Sequence, residues 1–189
     1  MRHAASALLI TVLLAGCASA PLAPGCERFG RDGALCLLPP ASLPAVDGSR
    51  LVSVDRDGHQ DSFIGLLHVD DHDLRLVGLS LFGTSLFSVS YDGQGFTAEP
   101  KSDERYLRQL LVMLELAVAD ATQLEPRLQG ITLETGTTNG VETRDFYEHG
   151  EKIAHLERSA GPLADATLRI DVPRLKLAVL MKPMPAAAP

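Results

Sequence analysis

The sequence predicts a mainly antiparallel β fold with one long helix. Apolar and polar residues alternate with period 2 from residue 51 to 98, helical spacing follows at 103–121, and alternation returns from 131 to 181. A curved antiparallel sheet wrapped around the helix is the simplest arrangement in which these elements share one core. The length of the chain fits a single domain.

The first half contains five strand-like runs separated by turn-forming residues. Asp57-Gly58, Asp70 to Asp73 and Asp92-Gly93 tolerate the backbone conformations of tight hairpins. Consecutive runs are therefore expected to pair as an antiparallel meander. The predicted strands are Leu51 to Asp55, Ser62 to Val69, Leu74 to Leu81, Ser85 to Tyr91 and Phe96 to Ala98.

One helix is predicted from Asp103 to Ala121. Ser102 is the expected N-cap, and Asp103 and Glu104 fall in the first turn, where carboxylates favour the helix dipole. Its apolar face is broad, which indicates a helix covered on more than one side. The leucines of that face include Leu107, Leu110, Leu111 and Leu114.

The second half returns to strands. Its last run is expected to split near Pro173, because proline cannot donate to a strand ladder. The predicted strands are Ile131 to Thr135, Val141 to Glu148, Lys152 to Arg158 and Ala166 to Met181.

The N-terminus resembles a bacterial lipoprotein signal peptide. Arg2 precedes a short apolar run that ends in Leu14-Ala15-Gly16-Cys17. The resemblance implies that residues 1–16 are removed and that Cys17 carries the acyl chains of a stable membrane anchor. Ala18 in place of aspartate implies sorting to the outer membrane. An ordinary secretory signal cut further on, or an uncut anchor, remains an alternative.

The remaining segments follow from composition. Residues 17–49 contain many prolines and are predicted as a lipidated tether and irregular lead-in rather than core. Residues 50–182 are predicted as the folded domain, and residues 183–189 as a disordered tail.

Two cysteines besides Cys17 remain, Cys26 and Cys36. An even pair in an oxidising compartment is expected to form a structural disulfide. Neither lies in C-x-x-C, which disfavours thioredoxin-like chemistry and haem attachment. Two free thiols or a metal-binding pair are the alternatives.

Charge and motifs exclude several functions. The net charge is -7 and the basic residues are scattered, so neither a nucleic-acid partner nor a polybasic patch for lipid head groups is expected. Gly93 to Ala98 fits G-x-G-x-x-A, but Glu99-Pro100 follows where a dinucleotide-binding helix would continue. Gly78 to Thr84 lacks a phosphate-loop lysine, and Ser80 is not in G-x-S-x-G. We expect no cofactor, no catalytic residue and no enzymatic activity.

Histidines near carboxylates are a further group of candidate metal ligands in the sequence. His68, Asp70, Asp71, His72 and Asp73 could surround a divalent cation, or they could form a solvated acidic hairpin turn. The turn is favoured, because no distant ligand motif accompanies the cluster. His149 and His155 flank another turn of the same kind, so no metal site is expected.

The apolar segment Leu79 to Phe87 lies between two predicted strands. Phe82-Gly83 can form a tight turn with an exposed aromatic ring at its tip. The alternative is that Leu81 and Phe82 belong to a core strand, because short apolar runs are ambiguous.

Leu81-Phe82-Gly83-Thr84 is similar to the P-L-G-S/T loop of the outer-membrane receptor LolB. From about Arg50 to Met181 the chain resembles the LolA/LolB lipoprotein-carrier superfamily, and most closely small outer-membrane lipoproteins encoded beside aryl polyene biosynthesis genes. The resemblance implies a half-open antiparallel β-barrel covered by a helix, with an apolar cavity that accepts acyl chains without covalent chemistry.

The function that the resemblance implies is a periplasm-facing, outer-membrane-anchored carrier of lipid or lipoprotein acyl chains, with aryl polyene lipid export as one task. Its partners would be membrane lipid, acylated cargo and a periplasmic carrier protein. Phe82 and Leu81 are the expected membrane or cargo contacts, and Leu107, Leu110, Leu111 and Leu114 the expected cavity lining. A structural or assembly lipoprotein that binds a protein partner, and a lipid-modifying hydrolase, are the alternatives.

Overall fold

The computed structural model describes residues 22–23 and 25–184. The predicted signal peptide, the lipidation site Cys17 and residues 185–189 of the predicted tail lie outside the described residues. The strands in chain order are β1 (Cys26–Arg28), β2 (Ala34–Cys36), β3 (Val46–Arg56), β4 (His59–Val69), β5 (Leu74–Leu79), β6 (Ser85–Tyr91), β7 (Phe96–Glu99), β8 (Leu128–Gln129), β9 (Thr132–Thr138), β10 (Val141–Glu148), β11 (Glu151–Arg158), β12 (Leu168–Val172) and β13 (Leu177–Pro183).

Ten of these strands form one antiparallel sheet. Their order is β7-β6-β5-β4-β3-β13-β12-β11-β10-β9, and the two outermost strands do not pair with each other. The first and second halves of the chain meet where β3 pairs with β13, with Val52 opposite Met181. The predicted fold class is therefore confirmed: an open, mainly antiparallel sheet with one long helix, consistent with a half-open β-barrel.

The helices are α1 (Glu104–Val118) and the single turn α2 (Ala121–Leu124). Two details of the helix prediction are wrong. Asp103 rather than Ser102 is the N-cap, because a 3-10 turn at Lys101–Asp103 runs directly into the helix. The helix also ends at Val118, and the buried guanidinium of Arg144 on β10 donates to the carbonyls of Leu116 (2.8 Å) and Ala119 (2.6 Å) at this end.

α1 fills the concave side of the sheet. Every residue from Leu110 to Ala119 is buried, as the breadth of its apolar face predicted. The predicted break near Pro173 is confirmed as a 3-10 turn at Pro173–Leu175, which separates β12 from β13.

Residues 25–49 correct the prediction of a non-core lead-in. β1 and β2 pair with β8 in a separate three-stranded sheet, and four side chains of residues 25–38 are buried in the main core. These side chains are Phe29, Leu35, Leu37 and Leu38. The prediction was wrong because it relied on the high proline content. In the structure, Pro39 and Pro40 only start a 3-10 turn between buried residues. The folded body thus begins well before residue 50.

The predicted disulfide is confirmed. Cys26 and Cys36 lie directly opposite each other on β1 and β2 and are bonded. Pro183 still belongs to β13, so the predicted tail begins later than expected. In the part of the chain that the structure describes, no helix is long and apolar enough to cross a membrane.

Candidate functional site

A cavity of about 540 Å³ opens at one end of the sheet. It lies between the first turns of α1, the ends of β3 and β12, the start of β13 and the loop that follows β1. Its volume is in the range of about 300–1,000 Å³ that is typical of small-molecule sites.

The interior of the cavity is apolar. Tyr106, Gln109 and Met113 of α1 follow one another at helical spacing and face it together. The apolar lining residues outside α1 are Phe29, Ile153, Val172, Leu175 and Leu177. Tyr106 and Leu175 are exposed at the opening, whereas the remaining apolar side chains are buried. The cavity therefore offers a hydrocarbon-like interior with an accessible mouth.

Five arginines surround this interior, and we call them the arginine rim: Arg28, Arg31, Arg56, Arg105 and Arg174. All five are exposed. The described lining contains no aspartate or glutamate. The mouth is thus strongly basic although the whole chain carries a net charge of -7.

Tyr106 lies at the junction of the rim and the apolar interior. Burial raises the pKa of its hydroxyl above the ordinary value, Arg56 opposes this shift, and Asp61 on β4 adds to it. The phenol stays neutral at physiological pH and can donate or accept a hydrogen bond at the mouth.

Glu148 at the end of β10 anchors the loop that carries Arg31. Its carboxylate accepts hydrogen bonds from the backbone N–H groups of Arg31 (2.8 Å), Asp32 (2.7 Å) and Gly33 (2.6 Å). Burial acts to raise the pKa of Glu148, but the three donors outweigh it and the pKa is lowered. Gly30 has φ +94°, and a Cβ there would lie 2.9 Å from this carboxylate. The loop therefore has one well-defined position beside the cavity.

The four leucines predicted as cavity lining do not line it. Leu107, Leu110, Leu111 and Leu114 are buried in the core between α1 and the sheet, and the cavity lies against a different face of the helix. The sequence reasoning placed the cavity at the leucines instead, because Gln109 and Arg105 interrupt the apolar pattern of this face. The i, i+3, i+7 spacing of Tyr106, Gln109 and Met113 was the available signal.

Phe82 is exposed at the tip of the β5–β6 hairpin. Its side chain is 98% exposed and that of Leu81 is 58% exposed. The turn is ordered by Ser80, whose hydroxyl accepts from the backbone N–H groups of Phe82 (3.3 Å) and Thr84 (3.1 Å). Gly83 has φ +84°, which favours glycine. Of the two alternatives, the exposed turn is confirmed and the core strand is wrong for Phe82.

The Phe82 turn and the cavity lie in the same half of the sheet. β3 ends at Arg56 on the rim, and β4 starts opposite it at His59. β5 runs antiparallel to β4 and therefore ends at Leu79, on the side where β4 begins. Leu79 lies opposite Ile64, midway along β4, and the hairpin tip extends from there toward the Arg56 end, so Phe82 lies in the half of the sheet that carries the opening.

A family model described as "Protein of unknown function (DUF3261)" matches residues 49–180. The chain belongs to this family. The matched region spans the ten-stranded sheet and α1, and it includes Phe82 together with Arg56, Arg105 and Arg174 of the rim. Arg28 and Arg31 lie before it. Comparison with curated proteins gave no significant match.

The His68 cluster lies at the opposite end of the sheet. Single ligand atoms of His68, Asp70 and Asp73 lie within 4.8 Å of one another. However, Asp70 Oδ1 accepts from the backbone N–H groups of His72 (2.7 Å) and Asp73 (2.9 Å), and these donors lower the pKa of Asp70 to about 2. Such a carboxylate organises a solvated hairpin turn. His149 and His155 likewise contact neighbouring carboxylates, of Asp32 and Asp145.

Proposed function

We propose that this protein binds lipid or lipoprotein acyl chains in the cavity, as an outer-membrane-anchored carrier that faces the periplasm. One observation carries the proposal: an apolar cavity of about 540 Å³ opens in the half of the sheet where Phe82 is exposed. The resemblance to the LolA/LolB superfamily supports the same function and suggests aryl polyene lipid export as its task. A periplasmic carrier protein would exchange cargo with it.

The physical basis is the transfer of a hydrocarbon chain between two apolar environments. Each methylene removed from water contributes about 0.8 kcal/mol, so a chain crosses from bilayer to cavity at low cost only if it stays shielded from water. An exposed Phe82 in the same half of the sheet as the mouth can enter the bilayer surface and shorten the aqueous gap. Anchorage through Cys17 would keep the protein near its membrane.

Substitution of Phe82 tests this proposal. Because the ring is exposed, we expect Phe82→Glu to change the free energy of unfolding by no more than about 0.5 kcal/mol while it abolishes lipid transfer from vesicles. Phe82→Trp should retain transfer. Gln94→Glu, which places the same charge in an exposed turn at the opposite end, should behave like the unsubstituted protein.

Native mass spectrometry of the purified protein supplies the second measurement. A carrier should co-purify with lipid that fills the cavity. Protein that carries no lipid and takes none up from vesicles would contradict the proposal. A Phe82→Glu variant with undiminished transfer would instead remove Phe82 from the mechanism and leave lipid binding intact.

A structural or assembly lipoprotein that binds a protein partner is the second candidate. It is favoured by Leu51 and Leu66, which are 37% and 39% exposed on the outer face of the sheet. Leu51→Ser with Leu66→Ser would impair such a partnership but not lipid uptake. The hydrolase alternative gains no support from the described cavity lining, which offers no serine, cysteine, histidine or carboxylate.

A further inference from the structure

We infer that the cavity takes an anionic amphiphile, with its carboxylate or phosphate head group on the arginine rim and its hydrocarbon chain in the apolar interior. The inference rests on the proposed lipid binding and names the class of lipid. It depends on the composition of the lining, in which every charged side chain is an arginine.

The rim arginines lack the partners that arginines have elsewhere in this protein. Five other arginines contact carboxylates: Arg75, Arg108, Arg144, Arg158 and Arg169. Among residues 22–23 and 25–184, no ion pair joins a rim arginine to a carboxylate. Their guanidinium groups are therefore available to a ligand.

Clustered like charges repel one another and disfavour the compact state. Five of the 17 basic residues of an acidic chain lie around one opening, although they come from four separate segments. Asp61 raises the pKa of the Tyr106 hydroxyl but does not line the cavity. A bound anion would relieve the repulsion that this arrangement creates.

Arginine suits this role better than lysine would. Its planar guanidinium donates two parallel hydrogen bonds to a carboxylate or phosphate, and its aliphatic stem packs against apolar surface. Tyr106 and Leu175 stand beside the rim at the opening. A ligand would place its head group at the solvent-accessible mouth and its chain against Met113, Ile153 and Val172.

Binding of cis-parinaric acid and of its methyl ester tests the inference. The two molecules share one fluorescent polyene chain, and only the acid carries a negative charge. Fluorescence titration of the purified, lipid-stripped full chain should show the acid binding at least about tenfold more tightly, since charge-assisted hydrogen bonds contribute only to the acid. Equal affinities for acid and ester would overturn the inference.

Substitutions of the rim arginines test whether the rim causes the difference in affinity between the acid and the ester. Arg56→Gln with Arg105→Gln should reduce the affinity for the acid to that for the ester and leave the ester unchanged. Arg75→Gln at the opposite end removes a positive charge of the same kind and should change neither. If the rim variant weakens binding of the acid no more than Arg75→Gln does, the rim does not hold the head group.

Competition experiments distinguish binding of a lipid head group from binding of a free anion. Dodecyl phosphate should displace parinaric acid at much lower concentration than inorganic phosphate. Equal potency of the two would show a free-anion site and contradict an amphiphile. The inference would also be contradicted if the protein bound phosphatidylglycerol vesicles through the rim but bound parinaric acid no more tightly than its ester. If neither parinaric acid nor its ester binds, the proposed lipid binding itself fails.

Discussion

Glu115 is a carboxylic acid buried in the last turn of α1. One oxygen accepts a hydrogen bond from the backbone N–H of Leu38 at 2.9 Å, and the other has no partner among the described residues. Burial raises the pKa of Glu115 to about 8, against the lowering effects of the Leu38 donor and of Arg127. The group is therefore protonated at neutral pH, unlike the ionised Glu148.

This buried acid predicts a loss of stability at alkaline pH. The folded state holds the proton more tightly than the unfolded state, so the stabilisation is complete below the ordinary pKa of 4.5 and disappears as pH rises through about 8. Glu115→Gln should reduce the dependence of the free energy of unfolding on pH. At pH 9 the variant should be more stable than the unsubstituted protein. Denaturant unfolding at pH 6 and pH 9 measures this.

The exposed Glu134→Gln provides the control, since it should keep the full pH dependence. A Glu115→Gln variant whose stability falls in parallel with that of the unsubstituted protein would contradict a buried, protonated Glu115.

Gly78 on β5 is required by a neighbouring aromatic ring. A Cβ there would lie 2.2 Å from the Phe87 ring, which packs edge-to-face on Phe63 at 5.3 Å between ring centroids. Gly78→Ala should therefore lower the free energy of unfolding by about 1–3 kcal/mol, the usual cost of overpacking. Gly48→Ala meets no atom within 4 Å and should be close to neutral. Thermal unfolding of the two variants compares them, and equal stabilities would contradict this role for Phe87.

At the scale of elements, the β1–β2 hairpin is a small unit attached to the main domain. Its disulfide joins facing strands, Glu148 holds its loop, and Gln109 of α1 donates to the Arg28 carbonyl at 3.0 Å. These contacts place Arg28 and Arg31 at the cavity. The hairpin thus supplies part of the rim from outside the region that the family model matches.

The disulfide prediction concerns this hairpin. The oxidised protein should resist thiol alkylation and take up two labels at Cys26 and Cys36 after reduction. Cys26→Ala with Cys36→Ala should lower the free energy of unfolding by about 2–3 kcal/mol, because closure of the short loop no longer restricts the unfolded chain. Immediate double labelling of the native protein, or unchanged stability of the variant, would contradict it.

At the scale of the whole molecule, the candidate contacts with membrane and ligand lie toward one end of the open sheet. They are the cavity with its arginine rim and the Phe82 turn. Membrane attachment is predicted from residues outside the described structure. Cys17→Ser should abolish lipid modification and leave an unprocessed or soluble protein, because acylation of Cys17 is the proposed anchor.

Membrane fractionation and intact-mass measurement test the anchor. Gly16→Ala, which keeps a small residue before the cysteine, serves as the control and should retain the lipid mass. A Cys17→Ser protein that still fractionates with the outer membrane and carries the same lipid mass would contradict lipidation.

Much of the fold was predictable because its signals are local. Alternation at Leu168 to Val172 and turn residues such as Asp57-Gly58 act within a few positions, so the strands and their hairpin pairing followed from the sequence. The lead-in was mispredicted because burial of Leu35 and Leu38 depends on contacts with distant segments, which proline content does not report.

The sequence by itself determined the class of fold, the succession of strands, helix and strands along the chain, and the pair of cysteines expected to bond, whereas the structure decided that Phe82 is exposed. Only the tertiary structure decided which face of α1 meets the sheet and which meets the cavity, because both faces contain apolar residues. The tertiary structure also decided which arginines form the rim. Arg28, Arg56, Arg105 and Arg174 are far apart in the chain and follow no common spacing, so no pattern marks them as neighbours. The folding of the open sheet brings them to one end, since antiparallel pairing superimposes strand ends that are distant in sequence.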